Sequence, residues 1–86
     1  MRKLKYIILD NRYPVLFSEC ISHDEATSRA AGKPTSAGFV TLVPITKDGE
    51  GYINATVYGE STSLGIGSNG DHDNMLIELA INTNTL

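Results

Sequence analysis

Gly38-Phe39-Val40-Thr41-Leu42-Val43-Pro44-Ile45, then Thr46-Lys47-Asp48-Gly49-Glu50-Gly51, then Tyr52-Ile53-Asn54-Ala55-Thr56-Val57-Tyr58, is the stretch that decides the fold. Its first segment is dense in β-branched and aromatic side chains and is the strongest strand signal in the chain. Asp48-Gly49 marks a hairpin turn, whose central residues need positive φ. The last segment alternates cleanly, with Ile53, Ala55 and Val57 on one side and Tyr52, Asn54, Thr56 and Tyr58 on the other. Pro44 has no N–H to give to a ladder, so an edge or a bulge is expected near the end of the first strand.

Upstream, Lys3-Leu4-Lys5-Tyr6-Ile7-Ile8-Leu9 starts in alternation and ends continuously apolar, as a half-buried strand does. The turn-rich run Asp10-Asn11-Arg12-Tyr13-Pro14 and the short strand Val15-Leu16-Phe17 complete a first hairpin. Ser22-His23-Asp24-Glu25 matches a capping box, in which the Ser22 hydroxyl accepts the Glu25 N–H and the Glu25 carboxylate reaches back. The helix it opens, His23–Ala31, is expected to stop at Gly32.

Downstream of Gly59 lies a Gly/Ser-rich loop, residues 61–70, and then a second helix capped by Asp71 or Asp73 and running to about Asn82. Leu76, Leu79 and Ala80 give that helix an apolar face, widened by Ile77 and Ile81. Residues 82–86 look like a frayed tail. The order ββαββα predicts an α+β two-layer sandwich: a four-stranded antiparallel sheet with two helices on one face.

Eighty-six residues make one domain, 1–86, and a chain this short buries only about 60–65% of its unfolded surface. Such chains often gain stability by oligomerising. A net charge of −3 disfavours nonspecific binding to long nucleic acids, which depends on neutralising phosphates. The bases cluster, however, with Arg2, Lys3, Lys5 and Arg12 near the start and Arg29 and Lys33 near the middle. A local anion site is therefore compatible with the acidic balance. One cysteine, Cys20, excludes an intramolecular disulfide, and no apolar run is long enough to be a signal peptide or a membrane span. The expected location is the cytoplasm.

Signatures of chemistry are sparse. Gly65-Ile66-Gly67-Ser68-Asn69-Gly70 formally matches G-x-G-x-x-G, yet the acidic residue expected about 20 positions later would fall beyond the last residue. What survives is a small-residue loop running into a helix start, able to offer N–H groups and hydroxyls to an anion. His23 and His72 lack the spacing of a metal site, and Cys20 reads as a small structural residue. There is no G-x-S-x-G elbow and no carboxylate pair in an apolar setting. The expectation is a binding protein rather than an enzyme, without cofactor or metal. The face Tyr52, Asn54, Thr56, Tyr58 fits an oligomer interface, and also a stacking platform beside Lys3, Lys5 or Thr41.

Leu16-Phe17-Ser18 with His23, then Ser36-Ala37-Gly38-Phe39, then Gly59-Glu60-Ser61-x-Ser63-Leu64-Gly65-Ile66 followed by Asp71 or Asp73, resembles a group of small bacteriophage proteins. In that group an Arg-Pro follows the Ser-Leu-Gly-Ile motif, whereas here Gly67-Ser68-Asn69-Gly70 stands there, without a phosphate-binding arginine. The resemblance implies a counter-defence factor in the host cytoplasm. In one form it is an oligomeric sponge that sequesters a nucleotide-derived immune signal. Ser36, Ala37, Gly38 and Phe39, with Ser61, Ser63, Gly65, Ser68 and Asn69, would then supply backbone and hydroxyl contacts. Arg12, Arg29 or Lys33 would neutralise phosphate, and a tyrosine would stack the base. The alternative is a protein–protein inhibitor or accessory factor that acts through its sheet face or edge.

Overall fold

Tyr6-Ile7-Ile8-Leu9 is buried along its whole length, which puts its strand in the middle of the sheet. The computed structural model describes residues 2–83. Strand β1 (Arg2–Leu9) pairs antiparallel with β2 (Tyr13–Phe17) on one side and with β3 (Pro34–Lys47) on the other. β3 pairs with β4 (Glu50–Tyr58), giving the order β2-β1-β3-β4. Helix α1 (His23–Arg29) follows the first hairpin and helix α2 (Gly70–Asn82) ends the described chain. The class, the element order and the four-stranded antiparallel sheet are those expected from the sequence. The Gly/Ser stretch adds a separate two-stranded piece, β5 (Glu60–Ser61) with β6 (Ile66–Gly67). The expected tail over residues 84–86 lies outside the described residues.

Both turns are tight. Asp10 and Asn11 have φ of 54° and 56°, and Asp48 and Gly49 have 52° and 81°. These angles suit right-twisted hairpins, and Asp, Asn and Gly adopt them at least cost. Tyr13 and Pro14 therefore belong to β2 rather than to the turn, and Pro14 is tolerated there because β2 is an outer strand. Pro44 lies opposite Ile53, whose N–H points away from β3, so the missing proline N–H would point away from β4. On that side the described pairing with β1 ends at Arg2 opposite Leu42, so no ladder bond is lost among the described residues.

The helices do not share a face, and this corrects the two-layer expectation. Successive side chains of a strand point to opposite sides. Tyr6 and Ile8 pack with Val40, Ala55, Val57 and Ile77 of α2. Ile7 and Leu9 pack with Ala37 and Ala26 of α1. The sheet curls, and α2 touches both outer strands, β4 and β2. α1 is short and buries only His23 and Ala26. Only half of its predicted capping box forms: Ser22 Oγ accepts the Glu25 N–H at 3.1 Å, but the Glu25 carboxylate is held by Arg29 at 2.8 Å.

α2 also serves as a surrogate strand. The outward N–H groups of Ile53, Ala55 and Val57 donate to Asn82 Oδ1, Glu78 Oε2 and Asn74 Oδ1 at 2.9, 2.8 and 2.8 Å. Four residues of helix rise about 6.0 Å and two residues of strand about 6.8 Å. The i, i+4, i+8 side chains therefore keep step with every second edge amide. The exposed edge of β4 is closed without another strand.

Candidate functional site

A single row crosses the sheet on the α1 side. Phe17 lies opposite Lys5, Lys5 opposite Phe39, and Phe39 opposite Tyr58. Cross-strand neighbours on one face sit about 5 Å apart, so the register alone brings these side chains together. The Phe39 and Tyr58 rings stack at 5.7 Å with an interplanar angle of 23°. His23, the first residue of α1, wedges edge-on between Phe17 at 5.4 Å and Phe39 at 6.0 Å. Its Nε2 donates to the Gly38 carbonyl at 2.9 Å, which requires the proton on that nitrogen.

Lys3, two residues along β1 on the same side, places Nζ 5.3 Å from the Phe39 ring centre and 6.0 Å from that of Tyr58. These are cation–π distances. Its ammonium also meets Glu19 Oε1 at 3.4 Å. The Glu19 carboxylate, followed by the Tyr58 phenol, holds the Lys3 pKa above the usual lysine value. Lys5 Nζ donates to the Ile21 carbonyl at 3.0 Å, which uses one of its three donors.

Two glycines make the close approach possible. A Cβ on Gly38 would stand 2.6 Å from the Tyr58 carbonyl oxygen. Gly59, at φ +75°, lets the chain turn off β4 across the edge of the Phe39 ring. The chain then folds back through β5 and β6. A pocket of about 260 Å³ forms between Lys5 and Phe39 of the sheet, Ser22 and His23 at the start of α1, and Glu60, Thr62 and Ser63 of the returning segment, so its wall carries one acid beside the Lys5 ammonium.

No protein-family model matches the chain, and no curated protein or solved structure matches it either. The site is therefore read from its own chemistry.

The residues expected to hold a ligand fall into three places. Phe39 and Ser63 line the pocket. Ser61 lies buried behind it, where its hydroxyl accepts the Leu64 N–H at 3.2 Å, and Gly65 closes that turn by donating to the Ser61 carbonyl at 2.9 Å. Ser36, Ser68 and Asn69 gather on the other side of the sheet around Asp73. Arg12 and Lys33 sit beyond the far end of β1, opposite the end that carries Lys3, and Arg29 is engaged by Glu25.

Three of the expected contacts are corrected. Ser36 and Ala37 are interior strand residues, and Gly38 is buried with its carbonyl taken by His23. None of the three has a surface to offer. The cations beside the aromatic rings are Lys3 and Lys5 instead. Their i, i+2 spacing on β1 was the available signal, but it names a partner only once the register places Phe39 opposite Lys5.

Asp73 is the centre of a second cluster. It is fully buried, and its Oδ2 accepts from the Tyr6 hydroxyl at 2.6 Å and the Asn69 N–H at 2.9 Å. Its Oδ1 accepts from the Ser36 hydroxyl at 2.9 Å and lies 3.3 Å from His72 Nδ1. Three donors, joined by His72 when its ring proton is on Nδ1, surround the two carboxylate oxygens. Burial, then the hydrogen bond to Asp73, pushes the Tyr6 pKa well above the usual tyrosine value. The carboxylate is enclosed and fully partnered, and the cluster fixes α2 to the sheet, while the His72 ring beside it is 37% exposed.

The expected interface row divides. The Tyr52 hydroxyl and the Asn54 amide donate to Glu78 at 2.6 and 3.3 Å, while Thr56 and Tyr58 are exposed. Among the described residues no group of three or more His, Cys, Asp or Glu side chains is placed to hold a metal ion, and no helix is long and apolar enough to cross a membrane.

Proposed function

We propose that this protein binds and sequesters a small phosphorylated molecule carrying an aromatic ring, of the nucleotide type. The observation that carries the reading is the Phe39–Tyr58 stack with Lys3 Nζ over both rings. Tyr58 is 39% exposed, so part of its side chain is accessible to a planar ligand. Base–aromatic stacking contributes about 1–3 kcal/mol per base. Lys3 and Lys5 on the same side supply ammonium groups for phosphate, and Ser63 supplies a hydroxyl at the pocket wall. The pocket beside Lys5 is open and small, which suits one phosphate per chain, with the ring stacked outside it on Tyr58. A cyclic nucleotide shared between copies, the sponge arrangement that the sequence resemblance implies, would fit that limit. In such an assembly Thr56 and Tyr58 are the members of the expected interface row still free to meet a second copy.

The test is a thermal-shift panel of cyclic di- and trinucleotides, NAD-derived cyclic nucleotides and plain nucleotides. A ligand at 100 times its Kd stabilises by about 2.7 kcal/mol, and each kcal/mol moves the Tm of a domain this size by roughly 4–8 °C. The expected result is a shift that Tyr58→Ala and Lys3→Ala abolish and Arg29→Ala leaves intact. A flat panel, or a shift insensitive to Tyr58 and Lys3, would sink the reading.

A further inference from the structure

A second groove lies elsewhere, between β4 and the outer side of α2, and has a volume of about 510 Å³. Met75 and Leu79, one helical turn apart, form its apolar wall and are 57% and 60% exposed. Asp71 and Glu78 line the same groove, and no basic side chain does. Among the described residues neither acid forms a salt bridge, since Glu78 is held by neutral donors. We propose that this groove docks a basic amphipathic helix of a protein partner. The inference is independent of the ligand site on the α1 side of the sheet.

Three features select that occupant. An added strand is excluded at this edge, because the outward N–H groups of Ile53, Ala55 and Val57 are already taken by α2. A second copy of this chain would set Asp71 and Glu78 against the same acids, and the last turn of α2 has no basic residue to offset them. A partner with leucine-like anchors at i and i+4 and flanking lysines satisfies both walls. From Asp71 to Thr83 the groove wall is about 18 Å long, which accepts roughly three helical turns.

The experiment is fluorescence anisotropy with a labelled 14-residue amphipathic Lys/Leu helix and its Glu/Leu counterpart. The expected result is saturable binding of the Lys/Leu peptide only, weakened about tenfold or more by Leu79→Lys and by Asp71→Lys. Tyr13→Lys, at a site 54% exposed on β2, should leave it unchanged. Equal binding of the two peptides, or equal loss in the Tyr13 and Leu79 variants, overturns the proposal. So does a dimer of the free protein that Leu79→Lys dissociates, because the groove would then belong to a second copy.

Discussion

The Tyr6 hydroxyl donates to Asp73 Oδ2 at 2.6 Å across 67 residues of sequence, with both side chains fully buried. This bond joins the central strand to the first turn of α2, and Ser36 and Asn69 converge on the same carboxylate. Truncating Asp73 leaves a phenol, a hydroxyl and a backbone N–H without an acceptor, each costing about 1–3 kcal/mol. A chain of 86 residues has a total stability of roughly 4–13 kcal/mol. Asp73→Ala should therefore lower stability by about 3–5 kcal/mol in urea unfolding, and Asp73→Asn by less, since the amide keeps one acceptor oxygen. A loss under 1 kcal/mol for the alanine variant would show that the cluster does not anchor α2.

The same pair makes the fold sensitive to alkali. The folded Tyr6 pKa is raised by burial first and by Asp73 second, above the ordinary value near 10. A folded state that keeps a proton the unfolded chain releases is stabilised fully below that unfolded pKa. The contribution falls as pH rises past it, with a limiting slope of about 1.4 kcal/mol per pH unit for one group. Tyr52, raised by its bond to Glu78, and Lys3, raised by Glu19, act in the same direction. Stability measured between pH 9 and 11 should drop steeply, and Tyr6→Phe, though less stable at pH 7, should show a shallower slope. Parallel curves for the two proteins would rule out Tyr6 as the cause.

Gly38 sets the distance between β3 and the end of β4. An added methyl would meet the Tyr58 backbone oxygen at 2.6 Å, and a backbone atom cannot swing aside as a side-chain tip does. Gly38→Ala should cost about 1–3 kcal/mol, as overpacking does. It should also disturb the Phe39–Tyr58 stack, which near-ultraviolet circular dichroism of the aromatic rings would record. Gly49→Ala is the contrasting control: nothing lies within 4 Å, and only its φ of +81° is strained. An unchanged aromatic spectrum in Gly38→Ala would mean that β4 shifts freely.

Local signals in the sequence translated well into local structure. Asp48-Gly49 made its turn, Ser22 capped α1, and Ile53, Ala55 and Val57 took the α2 side of the sheet, as their alternation indicated. The placement of the helices was harder to see. The clue was the unbroken run Tyr6-Ile7-Ile8-Leu9, because four consecutive apolar residues mean that both faces are covered. Asp73 was opaque for a different reason. An acid in a first turn ordinarily faces water and the helix dipole, and nothing local announces that Tyr6 and Ser36 wait for it across the sheet. The aromatic row was half legible: Phe39 and Tyr58 stood out individually, and only the register joined them to Lys5 and Phe17.

Closure of the β4 edge by α2 carries the last prediction. Glu78 accepts from the Ala55 N–H, the Tyr52 hydroxyl and the Asn54 amide, so one side chain covers the middle of that edge. Asn82 flanks it by accepting the Ile53 N–H and donating to the Ile53 carbonyl, as a neighbouring strand would. Glu78→Ala strips the central acceptor and exposes an unpaired N–H, at a cost of about 1–3 kcal/mol. The combined Glu78→Ala and Asn82→Ala protein should in addition self-associate as its concentration rises, because a free edge pairs with another free edge. Sedimentation velocity over a hundredfold concentration range is the measurement. Glu78→Gln, which keeps an acceptor oxygen in place, should stay at the wild-type sedimentation coefficient. If the double variant sediments as the wild type does, the helix ladder contributes stability but no protection of the edge.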